Sequence, residues 1–282
     1  MPESPILVTS RANARVKQLR AAFAGHARLS GGLVAIEGEN LLQEAIRSGL
    51  PLKTIFLAER VSPPEWLPRA VELLVLADEV FASAVVTQHP QGIAALLLPP
   101  RWEMAATIAP DALFLVAAGL QDPGNLGTLI RSAEAFGATA VLTTPGTVSE
   151  WNQKALRASA GSVFRVPVVE TNANQLLALK SQDVRLLAAV APQNEVASVA
   201  KVDLTHACAL LIGNEGAGLG VEWLALADER ITIPTPGGVE SLNASVAGSL
   251  LLYEAARQRA AVHPQEAVSQ LTAHNSPLTT AV

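Results

Sequence analysis

The sequence predicts an α/β chain in which a parallel sheet with helices on its faces follows a smaller mixed α/β domain. Three observations carry this reading. From residue 111 onward short apolar strands alternate with helical stretches, the alternation of a parallel sheet. Several of those strands, CALLIG among them, are apolar throughout, as strands covered on both sides are. Pro99, Pro100 and the irregular RWEMAATIAPD separate this region from an earlier one with its own helix and strand patterns.

Taken in order, the first domain opens with a basic helix from Asn13 to Ala24 and a strand, LVAIEG. The next helix takes Asn40 as its N-cap, carries Leu41, Leu42, Ala45 and Ile46 as its apolar stripe, and stops at Gly49 and Pro51. KTIFLAE then reads as a strand from its β-branched and aromatic content. Beyond the linker the strands are ALFLVAAGL, ATAVLTT, VFRVPVVE, VRLLAAVA, CALLIG and RITIPT, and a closing helix runs from Ala244 to Arg259. The predicted boundaries are 1–98 for the first domain, 99–110 for the linker and 111–262 for the second domain. The tail, 263–282, is polar, contains proline and lacks periodicity, so it is expected to be disordered.

The 282 residues suffice for two domains of the usual size of about 100 to 150. Hydrophobic residues make up 50% and charged residues 16%, enough apolar surface to offset the entropy of folding. No apolar run reaches the roughly 18 residues of a membrane span, and MPESPILVTSR lacks the basic and apolar blocks of a secretory signal. A cytoplasmic protein without a membrane is expected. The lone Cys208 sits in an apolar strand and reads as a buried structural thiol, and the five histidines lack metal-ligand spacing, so no metal site is expected. A net charge of −5 argues against bulk coating of nucleic acid. A local patch exists: between Ser4 and Ile36 stand Arg11, Arg15, Lys17, Arg20 and Arg28 with no acidic residue, either a solvated helix face or a nucleic-acid contact.

Three segments carry candidate chemistry. In DPGNLGTLIRSAEAFGA, a turn from strand to helix, Asn125 is read as the cap, and Leu126, Leu129, Ile130 and Ala133 face the sheet. Arg131 falls off that stripe and leans over Gly127, which would leave an open floor beneath a guanidinium suited to an oxyanion. A surface arginine paired with Glu134 explains the same letters. In ALLIGNEGAGLG a strand ends among glycines that permit close approach to a ligand; a plain turn is the alternative, and neither a Walker loop nor a dinucleotide fingerprint is present. In ITIPTPGGVESLNASVAGSLLLYEAARQR, Ser241 and Asn243 stand at a helix start, where capping alone accounts for Asn243. Ala244, Ser245, Ala247 and Gly248 form a small-residue face open to tight packing.

Asn-x-Gly-x-x-x-Arg, Gly-Asn-Glu-Gly and Ile-Pro…Ser-Leu-Asn, in that order, resemble the three motifs of the SpoU (TrmH) branch of the SPOUT family of RNA ribose methyltransferases. TSRANARVKQLR, AIEGENLLQEAI and HPQGIAAL resemble that family's ribosomal-protein-like RNA-binding module, so the likeness spans roughly residues 6 to 260. It implies a trefoil knot made by the carboxyl-terminal helix, an exception to unknotted chains, and a homodimer. It implies methylation of a ribose 2′-hydroxyl in RNA with S-adenosyl-L-methionine as donor; ribosomal and transfer RNA both stay open, and the separate amino-terminal domain favours ribosomal RNA. By the same resemblance Gly213, Asn214, Gly216, Ile233 and Leu242 hold the cofactor, with Thr143 nearby. Arg131, Asn125, Glu215, Ser241 and Asn243 are the catalytic or substrate-positioning residues, and the basic run becomes an RNA contact. Ala244 is smaller than the valine often found there. A catalytically silent RNA-binding member of the fold is the alternative, and a nucleotide-binding oxidoreductase is disfavoured by the missing glycine fingerprint.

Overall fold

Buried side chains recur with the period of each element, and that periodicity builds two units. The computed structural model describes residues 7–26, 30–193, 195–237 and 239–262. Arg28 and the tail 263–282 lie outside the described residues. One unit comprises the described residues of Met1–Trp102, Asp122–Arg131 and Val148–Pro167; the other, those of Glu103–Gln121, Ser132–Thr147 and Val168–Val282.

In the first unit, strands β1 (Leu7–Val8), β2 (Val34–Glu37), β3 (Leu52–Ala58), β4 (Glu72–Leu76) and β5 (Ile93–Leu97) form a mixed sheet of order β1-β4-β3-β5-β2. β1, β4 and β3 run parallel, and β5 is antiparallel to both β3 and β2. Helix α1 (Ala14–Phe23) places Val16, Leu19 and Phe23 on one side, and they share a core with Phe56, Phe81 and Leu96. Asn13 caps it by accepting from the Arg15 N–H. The cap of α2 (Glu39–Arg47) departs from the sequence reading. The helix starts from Gly38, not Asn40, because Gly38 turns out of β2 at φ +101°, a conformation that favours glycine. Leu41, Leu42 and Ala45 are buried, as the stripe requires. Helix α3 (Asp78–Ala84) follows β4.

The second unit carries a seven-stranded sheet of β6 (Leu113–Ala117), β7 (Ala140–Thr143), β8 (Val168–Glu170), β9 (Arg185–Ala189), β10 (Ala197–Ser198), β11 (Cys208–Ile212) and β12 (Glu229–Thr232). Its order is β10-β12-β9-β11-β6-β7-β8, and every pairing is parallel. VFRVPVVE is strand only at its end: Ser162–Phe164 is a 3-10 turn, and Pro167, which has no N–H to give a ladder, stands just before β8. Phe114, Leu142, Leu186, Leu211 and Trp223 lie in the core. Helices α4 (Pro123–Ala135), α5 (Gln153–Ser159), α6 (Ala173–Lys180), α7 (Val221–Leu226) and α8 (Ala244–Val262) complete the described chain. α8 continues past Arg259, whose guanidinium donates to the carbonyls of Leu204 and His206 at 2.9 and 2.8 Å, while Gln258 bonds the backbone of Val202 and Leu204. Cys208 is buried in β11, and burial pushes its thiol up, against the nearby Arg259 charge.

Candidate functional site

The parallel neighbours β12, β9 and β11 end on one edge, and the loops leaving them enclose a cavity of about 380 Å³. Crevices outside the carboxyl ends of strands are where open α/β sheets take ligands. The walls come from Ala189–Gln193 after β9, Ile212–Leu219 after β11, and Ile233, Thr235, Ser241 and Leu242 before α8. Among the described lining residues Glu215 alone carries a charge. Its carboxylate accepts from the Gln121 N–H at 3.4 Å. The remaining walls combine apolar side chains and glycine backbone with the polar side chains of Gln193, Asn214, Thr235 and Ser241, a lining that suits a flat ring and a cationic group beside one carboxylate.

The loop after β11 is folded tightly on itself. Asn214 and Gly218 exchange two backbone hydrogen bonds, 3.0 and 2.9 Å, and a Cβ on Gly213 would sit 2.1 Å from the Gly218 carbonyl carbon. Only glycine fits there, because the loop's own backbone at Gly218 and Leu219 takes the space of a side chain. The Asn214 side chain accepts from the N–H groups of Gly216 and Ala217 at 2.8 and 3.2 Å and donates to the Gly119 carbonyl at 2.9 Å.

Of the residues singled out from the sequence, Gly213, Asn214, Glu215, Gly216, Ile233, Ser241 and Leu242 meet at this cavity. Thr143 is buried in β7, paired with Glu170 of β8, and is not among the described lining residues. Its neighbour Thr144, with Thr147, accepts the Gly119 N–H at 3.1 Å. Asn243 caps α8: its Oδ1 accepts from the Ser245 N–H and hydroxyl at 2.9 and 2.7 Å. The residues after β9 went unnoticed in the sequence, because their place at the cavity depends on β9 lying between β12 and β11.

Asn125 and Arg131 stand on α4. Leu126, Leu129, Ile130 and Ala133 are fully buried and Arg131 is exposed, as the stripe predicts. The cap is Asp122, not Asn125. Pro123 occupies the first helical position, where its missing N–H is no loss, and Asp122 Oδ1 accepts from the Asn125 N–H at 3.0 Å. Lys154 of α5 holds the other oxygen at 2.7 Å, and together these donors keep the Asp122 carboxyl below its ordinary range, the Lys154 ammonium contributing most. The open floor beneath Arg131 is also corrected. Gly127 is buried, and a Cβ there would lie 2.3 Å from the Ala155 carbonyl oxygen.

Arg15, Lys17 and Arg20 on α1 are exposed, as is Arg11 in the turn before it. Two have local duties: Arg15 pairs with Glu72 at 3.0 Å, and Arg20 reaches the Ser83 carbonyl and hydroxyl at 3.2 Å. A larger cavity of about 600 Å³ in the first unit, beside Phe23, Val34 and Trp151, has no acidic or basic side chain among its described lining and supplies no chemistry of its own. Among the described residues no cluster of His, Cys, Asp and Glu is arranged for a metal ion, and no helix is long and apolar enough to cross a membrane.

This architecture has known counterparts. The SpoU rRNA Methylase family model matches residues 112–253, and the MRM3-like substrate binding domain matches residues 13–95. The chain is 34% identical to the 23S rRNA (guanosine(2553)-2'-O)-methyltransferase RlmP of Bacillus subtilis (strain 168), covering 87% of this chain and 97% of that protein. The SpoU methyltransferase AviRb from Streptomyces viridochromogenes, in complex with the cofactor AdoMet, superposes with a TM-score of 0.78 at 28% identity, covering 88% of this chain and 98% of that one. The AdoMet-bound rRNA methyltransferase from Sinorhizobium meliloti does so with a TM-score of 0.77 at 27% identity, covering 89% and 97%.

Proposed function

The chain belongs to the SpoU rRNA methylase family, and from that premise we propose that it methylates a ribose 2′-hydroxyl of ribosomal RNA, using the cavity at the ends of β9, β11 and β12 for S-adenosylmethionine. It is an S-adenosylmethionine-dependent RNA 2′-O-methyltransferase. The observation that carries the choice of site is the glycine loop after β11, folded so tightly that a Cβ on Gly213 would lie 2.1 Å from Gly218, lining a cavity with one carboxylate at the strand ends. The backbone of Gly213, Asn214 and Gly216 would hold the donor, and Ile233 and Leu242 would cover its base. Thr143 would act from behind, through the β7 end that braces Gly119.

S-adenosylmethionine supplies an electrophilic methyl on a sulfonium. What the protein must add is alignment with the acceptor oxygen and help with its proton, and alignment alone contributes a large part of such a barrier. A guanidinium holds its proton and is a poor base. Arg131 therefore anchors the phosphate beside the target ribose, and Asn125, Glu215, Ser241 and Asn243 orient the participants. Arg11, Arg15, Lys17, Arg20 and Arg28 supply phosphate contacts in a substrate-binding region within residues 1–98, joined by 99–110 to a catalytic region within 111–262. The family matches at 13–95 and 112–253 support that division.

Two further features belong to this reading. The carboxyl-terminal segment is threaded as a trefoil knot, in keeping with α8 following β12 yet packing on β11 and on the turn Val199–Lys201 that precedes β11. The enzyme works as a homodimer in the cytoplasm, its partner covering the exposed stripe Val246, Leu250 and Tyr253 of α8. The test of function is calorimetry with S-adenosylhomocysteine against NAD, followed by transfer of labelled methyl to ribosomal RNA. Saturable binding of S-adenosylhomocysteine alone and label on ribose 2′ positions are expected. Failure to bind it, or an unaltered affinity in Gly213→Ala, would overturn the site.

A further inference from the structure

The Asn214 side chain uses both ends of its amide. Oδ1 accepts the Gly216 and Ala217 N–H groups, a local turn that shapes the loop along the cavity. Nδ2 reaches outward to the Gly119 carbonyl at 2.9 Å. Gly119, at φ +68°, opens the turn from which α4 departs. Its N–H is already claimed by the hydroxyls of Thr144 and Thr147, both at 3.1 Å, and Thr147 in turn donates to the Ala117 carbonyl. A second link runs between the same two segments, from the Gln121 N–H to the Glu215 carboxylate at 3.4 Å. The two peptide groups flanking Gly119 are thus held from opposite sides, and two cross-links tie the cavity loop to the residues leading into α4.

We propose that Asn214 is a positioning residue whose amide locks the cofactor loop to the Gly119–Gln121 turn, so that an occupied cavity fixes the turn from which Asn125 and Arg131 follow. Both polar atoms of the side chain, Oδ1 and Nδ2, already bond protein partners. This rests on the reading of the cavity as the S-adenosylmethionine site.

Asn214→Asp separates the two duties. One carboxylate oxygen still accepts from Gly216 and Ala217, while the other replaces the N–H donor and meets the Gly119 carbonyl with like partial charge. The affinity for S-adenosylhomocysteine by calorimetry should stay within about threefold, the scale of one modest hydrogen bond. Turnover on ribosomal RNA at saturating donor should fall roughly 100-fold, the scale on which an ångström of misplacement acts. By hydrogen exchange, S-adenosylhomocysteine should protect the amides of Gly119 to Gln121 in the wild type and not in the variant. If Asn214→Asp does not fold, Thr147→Val loosens the same glycine from the opposite side and should give the same split. Unchanged turnover, or lost affinity with turnover intact at saturation, would overturn the proposal. A wild type that binds S-adenosylhomocysteine yet methylates no RNA would sink the proposed function instead, and the exchange measurement would still decide the lock.

Discussion

Gly127 of α4 lies against Ala155 of α5 so closely that a methyl group on it would come within 2.3 Å of the Ala155 carbonyl oxygen and 2.7 Å of the Ala158 Cβ. The two helices touch through backbone at that point, and neither neighbour is a flexible side-chain end that could swing away. Gly127→Ala should destabilise the protein by about 1–3 kcal/mol through overpacking. Gly220→Ala is the control: φ there is −62°, and the nearest side chain outside its chain neighbours is 3.6 Å from the added atom, so its effect should stay within about 0.5 kcal/mol. Urea unfolding midpoints decide between them.

That contact also marks where the sequence ceases to be readable. The apolar strands β6, β9 and β11 and the stripe of α4 are visible in the letters because burial on both faces or on one stripe leaves a period. What a glycine faces leaves none: Gly127 read as space beneath Arg131, and it is in fact filled by α5. Asp122 was legible and misjudged, since Asp followed by Pro is the stronger start signal than the Asn three residues later. The residues after β9 could not be assigned to the cavity at all, because a strand's neighbours follow from sheet order and not from anything local.

The Asp122–Lys154 pair has a pH consequence. The folded carboxyl titrates below its ordinary range, chiefly because of the Lys154 ammonium and next the Asn125 N–H. A depressed folded pKa means the stabilisation is present above the unfolded pKa and is lost as pH falls through the folded one. Both side chains are largely exposed, at 57% for Lys154 and 42% for Asp122, so solvent screening keeps the effect small. In a carbon-13 titration the Asp122 midpoint should lie below that of a free aspartate and rise in Lys154→Ala. An unmoved midpoint would refute the pairing.

Val246, Leu250 and Tyr253 are 47%, 42% and 52% exposed on α8, spaced to form one stripe. Tyr253 rests edge-on against Phe136, just past the end of α4, centroids 5.8 Å apart, and Ser132 of α4 and Ser249 share a 2.7 Å hydrogen bond. The stripe therefore stands on a braced two-helix surface and offers a self-complementary partner a firm apolar face. Leu250→Glu and Tyr253→Glu should convert a dimer to a monomer in analytical ultracentrifugation at micromolar concentration. Wild-type protein sedimenting as a monomer at every concentration would end the dimer reading.

Arg131 separates two kinds of catalysis. As a phosphate anchor it contributes charge and two-pronged geometry to RNA held in the transition state; as a base it would have to lose a proton that a guanidinium retains at any pH the fold survives. Loss of an interaction with a charged group is worth about 1.5–3 kcal/mol, so Arg131→Ala should lower kcat/KM for RNA by roughly 10- to 150-fold. Arg131→Lys keeps the charge without the fork and should recover part of that loss. Neither change should shift the pH dependence of kcat, because the titrating group lies elsewhere. Glu215→Gln keeps an acceptor for the Gln121 N–H and removes the charge facing the cavity, so its loss should appear in kcat, with little change in KM for RNA. Near-wild-type kcat/KM in Arg131→Ala, measured with labelled donor over a range of RNA concentrations, would remove the arginine from the reaction.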